Sequence, residues 1–404
     1  MLNQIRKVAP FATVAAFTLN FGSYRVVGDG VLYFAFLQRL FGDKPVAVPV
    51  AYNFGLGLLN APFYAMGRLG EVLGIAGRFS HALPAAAINI ASIFFVLIAA
   101  WLCSVLLRRL DLPHPELTAA LATFGSPVWY YASFLPSYTH AADAAVFSLI
   151  AVMTFDLWRR PGTRRAVAVG AVLALAIALR PFNVGAALGL AVALLAYGRL
   201  RDVVAAGFAA IGVLGALLMI PFAVHASFTG VSAASELGFY PMSPLRMLFS
   251  DHRGLFTWTP LTLLATLGMA IRLARKPRDG YLVALSAMAA GLLAFYVFFK
   301  TWDGGWSFSA RFLSSLLPFY SVGVAAFLSD ARNRWRGATQ GAVVLATAWS
   351  LFIGMNHAFG ADMPDGVSDI AGAYVTGHRT PHDFARLAWS YSRVRHVIEA
   401  FERQ

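Results

Sequence analysis

The chain has 404 residues, 59% of them hydrophobic and 13% charged, and carries a net charge of +13. Soluble domains carry roughly 25% charged residues, so this composition cannot clothe a globular surface in water; with a mean hydropathy of +0.65 it excludes a soluble protein and defines a polytopic membrane bundle. The basic excess then reads as the positive-inside bias of membrane loops rather than as a nucleic-acid surface, and the single cysteine, Cys103, excludes an intrachain disulfide.

The first apolar segment, at about 8–26, follows Arg6 and Lys7 as a signal peptide would. Asn20, Ser23 and Tyr24 stand where a small-x-small cleavage site is needed, so an uncleaved anchor is expected. Residues 45–67 are uncharged but hold Pro45, Pro49, Pro62, Asn53, Asn60, Gly55 and Gly57. If they crossed the membrane, every later basic loop would change sides. The segment 31–78 is therefore expected to lie on the membrane within a long external loop, 27–81, with interfacial helices at Val31–Phe41 and Asn53–Leu73.

Ten further spans are expected at about 82–107, 117–134, 140–158, 166–180, 182–198, 203–224, 256–272, 280–299, 311–329 and 338–355. More than half of the 32 basic residues then fall in short connections on one side, which the positive-inside rule assigns to the cytoplasm. The expected fold is all-α, a transmembrane bundle of about eleven spans over 1–355. A short external tail, 356–404, follows, with an amphipathic stretch near Phe384–Phe401. The amino terminus would lie inside and the carboxyl terminus outside. Of the nine histidines only His114 falls on the inner side, and the outer face holds the long connections, so a functional site is expected there.

Several groups at that face can carry chemistry. Asp29, between Gly28 and Gly30 past the outer end of the first span, can approach a substrate closely, and a partly desolvated carboxylate fits a general base; a turn residue is the alternative. His140 and Asp143 share a helix face at i, i+3, after the aromatic run Trp129–Tyr138; they line a polar cavity or satisfy each other. Only fourteen residues separate Arg180 from Arg165, roughly 20 Å of helix against a core of ~30 Å, so one end is sunken. With no carboxylate beside it in sequence, Arg180 suits an anionic ligand such as phosphate, or it snorkels to the interface. Lys300, Trp302, Asp303, Trp306 and Arg311 form a charged aromatic frame before the tenth span, suited to sugars or headgroups or to an ordinary interfacial belt. Asp251, His252 and Arg253 make a further charged group.

No Gly-rich phosphate loop, HExxH, paired CxxC, Asp-x-Asp or G-x-S-x-G is present, which removes an ATP motor, those zinc sites and the commonest metal signature of nucleotide-sugar enzymes. The order of parts resembles the GT-C superfamily of integral-membrane glycosyltransferases, which use polyprenyl-phosphate sugars as donors. It rests on Asp29 after the first span, the loop stretches Gly30–Phe36 and Ala51–Tyr64, Ser126–Tyr131, Ser137–His140, Arg180–Asn183, Arg253–Phe256 and Gly304–Phe312. The resemblance implies Asp29 as the base for an acceptor hydroxyl, with Arg180, His140 and Arg311 holding the donor phosphate, supported by Lys300, His252 and Arg253. Trp302, Asp303, Trp306, Tyr138, Asp143 and Asn183 would then meet sugar or acceptor. No organic cofactor is implied, and a single rather than paired acidic motif leaves a metal requirement open. Expected partners are the lipid-linked donor, a glycan, glycolipid or protein acceptor and the bilayer, in a bacterial inner membrane. A lipid-linked sugar flippase or transporter fits intramembrane charge equally well, but no paired halves with broken helices are evident. A non-catalytic assembly protein would need neither a sunken Arg180 nor clustered external histidines.

Overall fold

A computed structural model describes residues 2–23, 25–44, 54–75, 77, 82–225, 244–297, 307–329, 335–359 and 366–393. Among these, regular structure is entirely helical. The amino-terminal part comprises α1 (Leu2–Phe21), α2 (Asp29–Leu40), α3 (Gly55–Val72), α4 (Leu83–Arg109), α5 (Pro115–Phe124) and α6 (Val128–Ser133). The centre holds α7 (His140–Arg159), α8 (Thr163–Leu179), α9 (Val184–Ala196) and α10 (Leu200–His225), then the short α11 (Pro244–Phe249) and α12 (Leu255–Trp258). The remainder is α13 (Leu261–Arg275), α14 (Gly280–Val297), α15 (Leu317–Ser329), α16 (Arg336–Phe359), α17 (Val367–Val375) and α18 (Pro381–Tyr391).

All eleven expected spans overlap helical segments, and among the described residues six stretches are continuous, long and apolar enough to cross a membrane: Leu83–Arg109, His140–Arg159, Leu200–Ile220, Gly280–Val297, Arg311–Ser329 and Arg336–Phe359. The protein is a multi-pass membrane protein. Four expected spans are not single α-helices; one of them, 182–198, opens in a 3-10 turn, Pro181–Asn183, before α9. The 117–134 segment breaks at Gly125-Ser126-Pro127 between α5 and α6, and 256–272 breaks at Thr259-Pro260 between α12 and α13. Proline removes an N–H and its ring clashes one turn back, so each helix restarts at the proline. The 311–329 segment opens as a 3-10 turn, Arg311–Leu316, before α15.

The helix ends sort into two sets, as the loop charges predict. At one end, which we call the basic end, Arg109 meets Asp156 at 2.6 Å, Arg199 donates to the Leu157 carbonyl at 2.9 Å, and Arg108 bonds Glu116. At the other end, Ser23 N–H donates to the Ser133 carbonyl at 2.8 Å and Ser392 donates to Asn20 at 2.9 Å. Close helix packing uses small residues, as is usual in lipid: Gly268 of α13 sits against the backbone of Gly323 on α15, where any side chain would collide.

The contacts of α3 place the described part of the uncharged 45–67 stretch against the bundle. Gly55 packs on Ala178 and Leu179, at the end of α8, while Gly67 packs on Leu83 and Pro84, at the start of α4. Both ends of α3 thus touch the same end of the bundle, so the helix runs across that end instead of through the core. Asp43, just past α2, fixes this arrangement by accepting from the Tyr64 hydroxyl at 2.6 Å and pairing with Arg68 at 2.8 Å. The two helices expected in this loop, Val31–Phe41 and Asn53–Leu73, appear as α2 and α3; Asn53 itself lies outside the described residues.

Past α16, α17 is clamped by Asp251, whose carboxylate accepts from Ser368 N–H at 2.8 Å and Ser368 Oγ at 2.6 Å. Thr380 and Asp383 form a reciprocal cap that starts α18, and the Thr380 bonds hold the Asp383 carboxyl below its usual range. Arg393 then donates to the Leu19 carbonyl at 2.8 Å and to that of Gly22. The tail folds back on the Asp29 end; of its expected amphipathic stretch, 394–401 lies outside the described residues.

Candidate active site

The site forms where five chain segments end: the start of α2, the loop before α7, the first turn of α7, the turn after α8 and the 3-10 turn before α15. Gly28 takes φ +53°, a conformation that side chains other than glycine's rarely adopt, and this lets α2 begin at Asp29. Gly30 lies so close to Ser137 that a Cβ would overlap its hydroxyl. These two glycines press Asp29 against the 137–138 loop.

Asp29 Oδ2 lies 3.3 Å from Arg311 Nη1, with the carboxylate side chain 35% and the guanidinium side chain 15% exposed. The pair is thus lopsided: the acid is open on one face while the base is mostly enclosed. The Arg311 guanidinium lies 5.6 Å from the ring centre of Tyr138 and 5.0 Å from that of Phe312, within range for cation–π attraction. Its Nε is buried without a partner among the described residues. An orphaned donor of this kind costs free energy unless a ligand or water accepts from it. Burial foremost, then the Asp29 charge, pushes the Tyr138 hydroxyl above its ordinary value, so it stays a protonated donor.

Behind this pair lies a second group. Arg180 donates to Asp143 Oδ2 at 3.2 Å and to the Phe312 carbonyl at 3.4 Å. Asp143 also accepts from Asn183 Nδ2 at 2.8 Å and from Ser315 Oγ at 2.6 Å. His140 Nδ1 stands 2.9 Å from Ser314 Oγ and 3.5 Å from Arg180 Nη1. The Arg180 guanidinium faces Tyr296 at 5.5 Å and Phe312 at 5.1 Å, and these two rings stack at 4.8 Å. Phe312 therefore lies under both arginines and joins the two groups.

This corrects the expectation for Arg180. Sequence places no carboxylate beside it, yet Asp143 reaches it from α7, and the two are 5% and 0% exposed. Arg180 is a sunken cation, as the short helix requires, but a neutralised one. Asp143 and Asn183, expected to meet sugar or acceptor, are buried around it in one hydrogen-bonded group, and His140 is buried beside them.

The expected cationic pair His252 and Arg253 stands apart. Arg253 is 1% exposed, lies 4.9 Å from the Trp258 ring centre and donates to the His252 carbonyl at 2.6 Å. A chain of ring contacts through Trp258, Phe308, Tyr130 and Tyr131 separates it from His140. Arg253 is thus buried in an aromatic layer next to the Asp29–Arg311 pair. Lys300, Trp302, Asp303 and Trp306 lie outside the described residues. Sequence reasoning missed Ser314, Ser315, Phe312 and Tyr296. The paired hydroxyls of Arg311-Phe312-Leu313-Ser314-Ser315, opening an apolar run, are the signal that could have found the first two.

The fold, with this cluster at the end remote from the basic loops, has counterparts among solved membrane-protein structures. The chain superposes on ArnT from Cupriavidus metallidurans in the apo state with a TM-score of 0.58 at 14% identity, covering 94% of this chain and 72% of that one. The same protein bound to undecaprenyl phosphate gives 0.54 at 15% identity, covering 94% and 73%. The Archaeoglobus fulgidus oligosaccharyltransferase, solved in complex with Zn and sulfate, gives 0.49 at 13% identity over 93% of this chain and 56% of its own. No protein-family model matches the sequence, and no curated protein does.

Proposed function

We propose that the protein is a membrane glycosyltransferase that transfers a sugar from a polyprenyl-phosphate donor to an acceptor hydroxyl. Two observations of different kind support this reading: the GT-C-like architecture shared with an undecaprenyl-phosphate-binding protein, and the Asp29–Arg311 pair at the end of the bundle remote from the basic loops. The pair carries the argument, because it puts an accessible carboxylate and an enclosed guanidinium with an unused Nε side by side. These are the groups needed to take a proton and to hold a phosphate.

The donor enters from the bilayer with its phosphate at Arg311. The acceptor hydroxyl approaches Asp29, which takes its proton as the oxygen attacks the anomeric carbon. The bond from that carbon to the phosphate oxygen breaks, and its electron pair leaves with the polyprenyl phosphate. Arg311 offsets the charge that grows on that oxygen, and the protonated Tyr138 hydroxyl stands beside it as a further donor. One attack without an enzyme nucleophile inverts the anomeric centre. By the positive-inside rule the reaction lies on the periplasmic or extracellular face of a bacterial inner membrane, with a glycan, glycolipid or protein as acceptor.

Purified protein incubated with a panel of polyprenyl-phosphate sugars and read by mass spectrometry tests the reading. Release of polyprenyl phosphate with a glycosylated product is expected. Movement of the lipid-linked sugar between vesicle leaflets with no transfer would replace the enzyme by a flippase.

A further inference from the structure

We infer that the basic end of the bundle carries a second binding site, for the phosphate headgroup of an anionic phospholipid. A cleft of about 520 Å³ opens there between the start of α1 and the start of α5, lined by Arg6, Lys7, Pro10, His114, Glu116 and Leu117. That volume falls within the about 300–1,000 Å³ typical of small-molecule sites.

The charge of the cleft is one-sided. Its carboxylate, Glu116, is already bonded to Arg108, so it does not neutralise the other cations. Among the described residues neither Arg6 nor Lys7 makes an ion pair. The first-turn N–H groups of Glu116 and Leu117 have no acceptor within α5, since the intrahelical ladder begins with Thr118 N–H donating to the His114 carbonyl. Two cations and the positive end of a ten-residue helix therefore face one concavity.

The surroundings distinguish a lipid from a soluble anion. Ile5, Val8 and Leu117 are exposed large apolar side chains beside the charged groups. They mark the boundary where headgroups give way to acyl chains, because the apolar run of α1 starts at Val8 directly after Arg6 and Lys7. A molecule that satisfies both surfaces has an anionic head and apolar tails. The site lies at the opposite end of the bundle from Asp29 and is independent of the transfer reaction.

The test uses the full chain in detergent, titrated with short-chain phosphatidylglycerol or phosphatidylcholine and read by native mass spectrometry. Tighter binding of one phosphatidylglycerol than of phosphatidylcholine is expected. The Arg6→Gln/Lys7→Gln protein should bind it about 25-fold more weakly, each basic group near the surface contributing about fivefold. Because removing those charges can invert the first span, Leu117→Trp supplies a second variant: it keeps every charge, crowds the apolar wall of the cleft, and should weaken the preference. Arg164→Gln/Arg165→Gln, an exposed basic pair outside the cleft, should leave it intact. Equal binding of the two lipids, unchanged binding in either cleft variant, equal loss in the Arg164/Arg165 variant, or displacement of the lipid by inorganic phosphate would each overturn the proposal.

Discussion

Arg311 Nη1 stands 3.3 Å from Asp29 Oδ2, so the cation that suits the donor phosphate is held by the carboxylate that suits the acceptor proton. The two roles compete. In the proposed mechanism a phosphate arriving at Arg311 would weaken its hold on Asp29 and leave the carboxylate available as a base only when a donor is present. Asp29→Asn separates the roles. Transfer should fall by about 10²–10⁴-fold, the usual contribution of general base catalysis, while donor binding becomes tighter because Arg311 loses its competitor. Donor affinity measured with a non-transferable polyprenyl phosphate decides it; weaker binding in the variant would contradict the competition.

Arg311→Lys tests the shape of the cation rather than its charge. Lysine keeps the ion pair with Asp29 but loses the planar fork and the ring contacts with Tyr138 and Phe312. A charge-assisted hydrogen bond is worth about 1.5–3 kcal/mol, so donor KM should rise roughly ten- to hundredfold. Steady-state kinetics over a range of donor concentrations measures this.

Arg180 and Asp143 should behave as a structural couple. Removing one partner of a buried ion pair costs about 3–5 kcal/mol, because it strands the other charge. Asp143→Asn and Arg180→Gln should therefore each lower thermal stability in detergent, and the apolar double replacement Asp143→Leu/Arg180→Met should recover much of the loss. If Arg180→Gln kept full stability and weakened only donor binding, Arg180 would be a phosphate ligand after all.

Gly30→Ala is expected to damage the site from outside its charges. The added methyl overlaps the Ser137 hydroxyl, and such overpacking typically costs about 1–3 kcal/mol. The first turn of α2 must shift and carry Asp29 from Arg311. Activity should drop, and Gly30→Ala/Ser137→Gly should restore part of it. A comparison of rates and melting temperatures across the three proteins checks this.

The Asp251 clamp predicts where the tail opens. Asp251→Ala removes both Ser368 bonds to the carboxylate, each worth about 1.5–3 kcal/mol. Residues 366–393 should then be cut faster in limited proteolysis, with the bundle resistant.

Much of the architecture could be read from local features. Runs of apolar residues placed the eleven segments, since lipid forces every backbone group to bond within its own helix. Prolines and asparagines in 45–67 argued against a crossing, and α3 runs across the bundle end. The breaks after Phe124 and Trp258 were equally local, lying at Pro127 and Pro260, but a count of apolar residues passes over them.

The site was legible only in part. The sequence by itself determined that this chain lives in lipid, that it is helical and that the cations of its short loops sort to one end, and it assigned Asp29, His140, Arg180 and Arg311 to the other. Composition and periodicity act on each segment separately, and so they survive without knowledge of the fold. Only the tertiary structure decided which acid meets which cation: Asp143 with Arg180, Asp29 with Arg311, and Arg253 with the aromatic layer. An ion pair depends on a few ångströms between helices far apart in sequence, and no pattern along the chain records that distance.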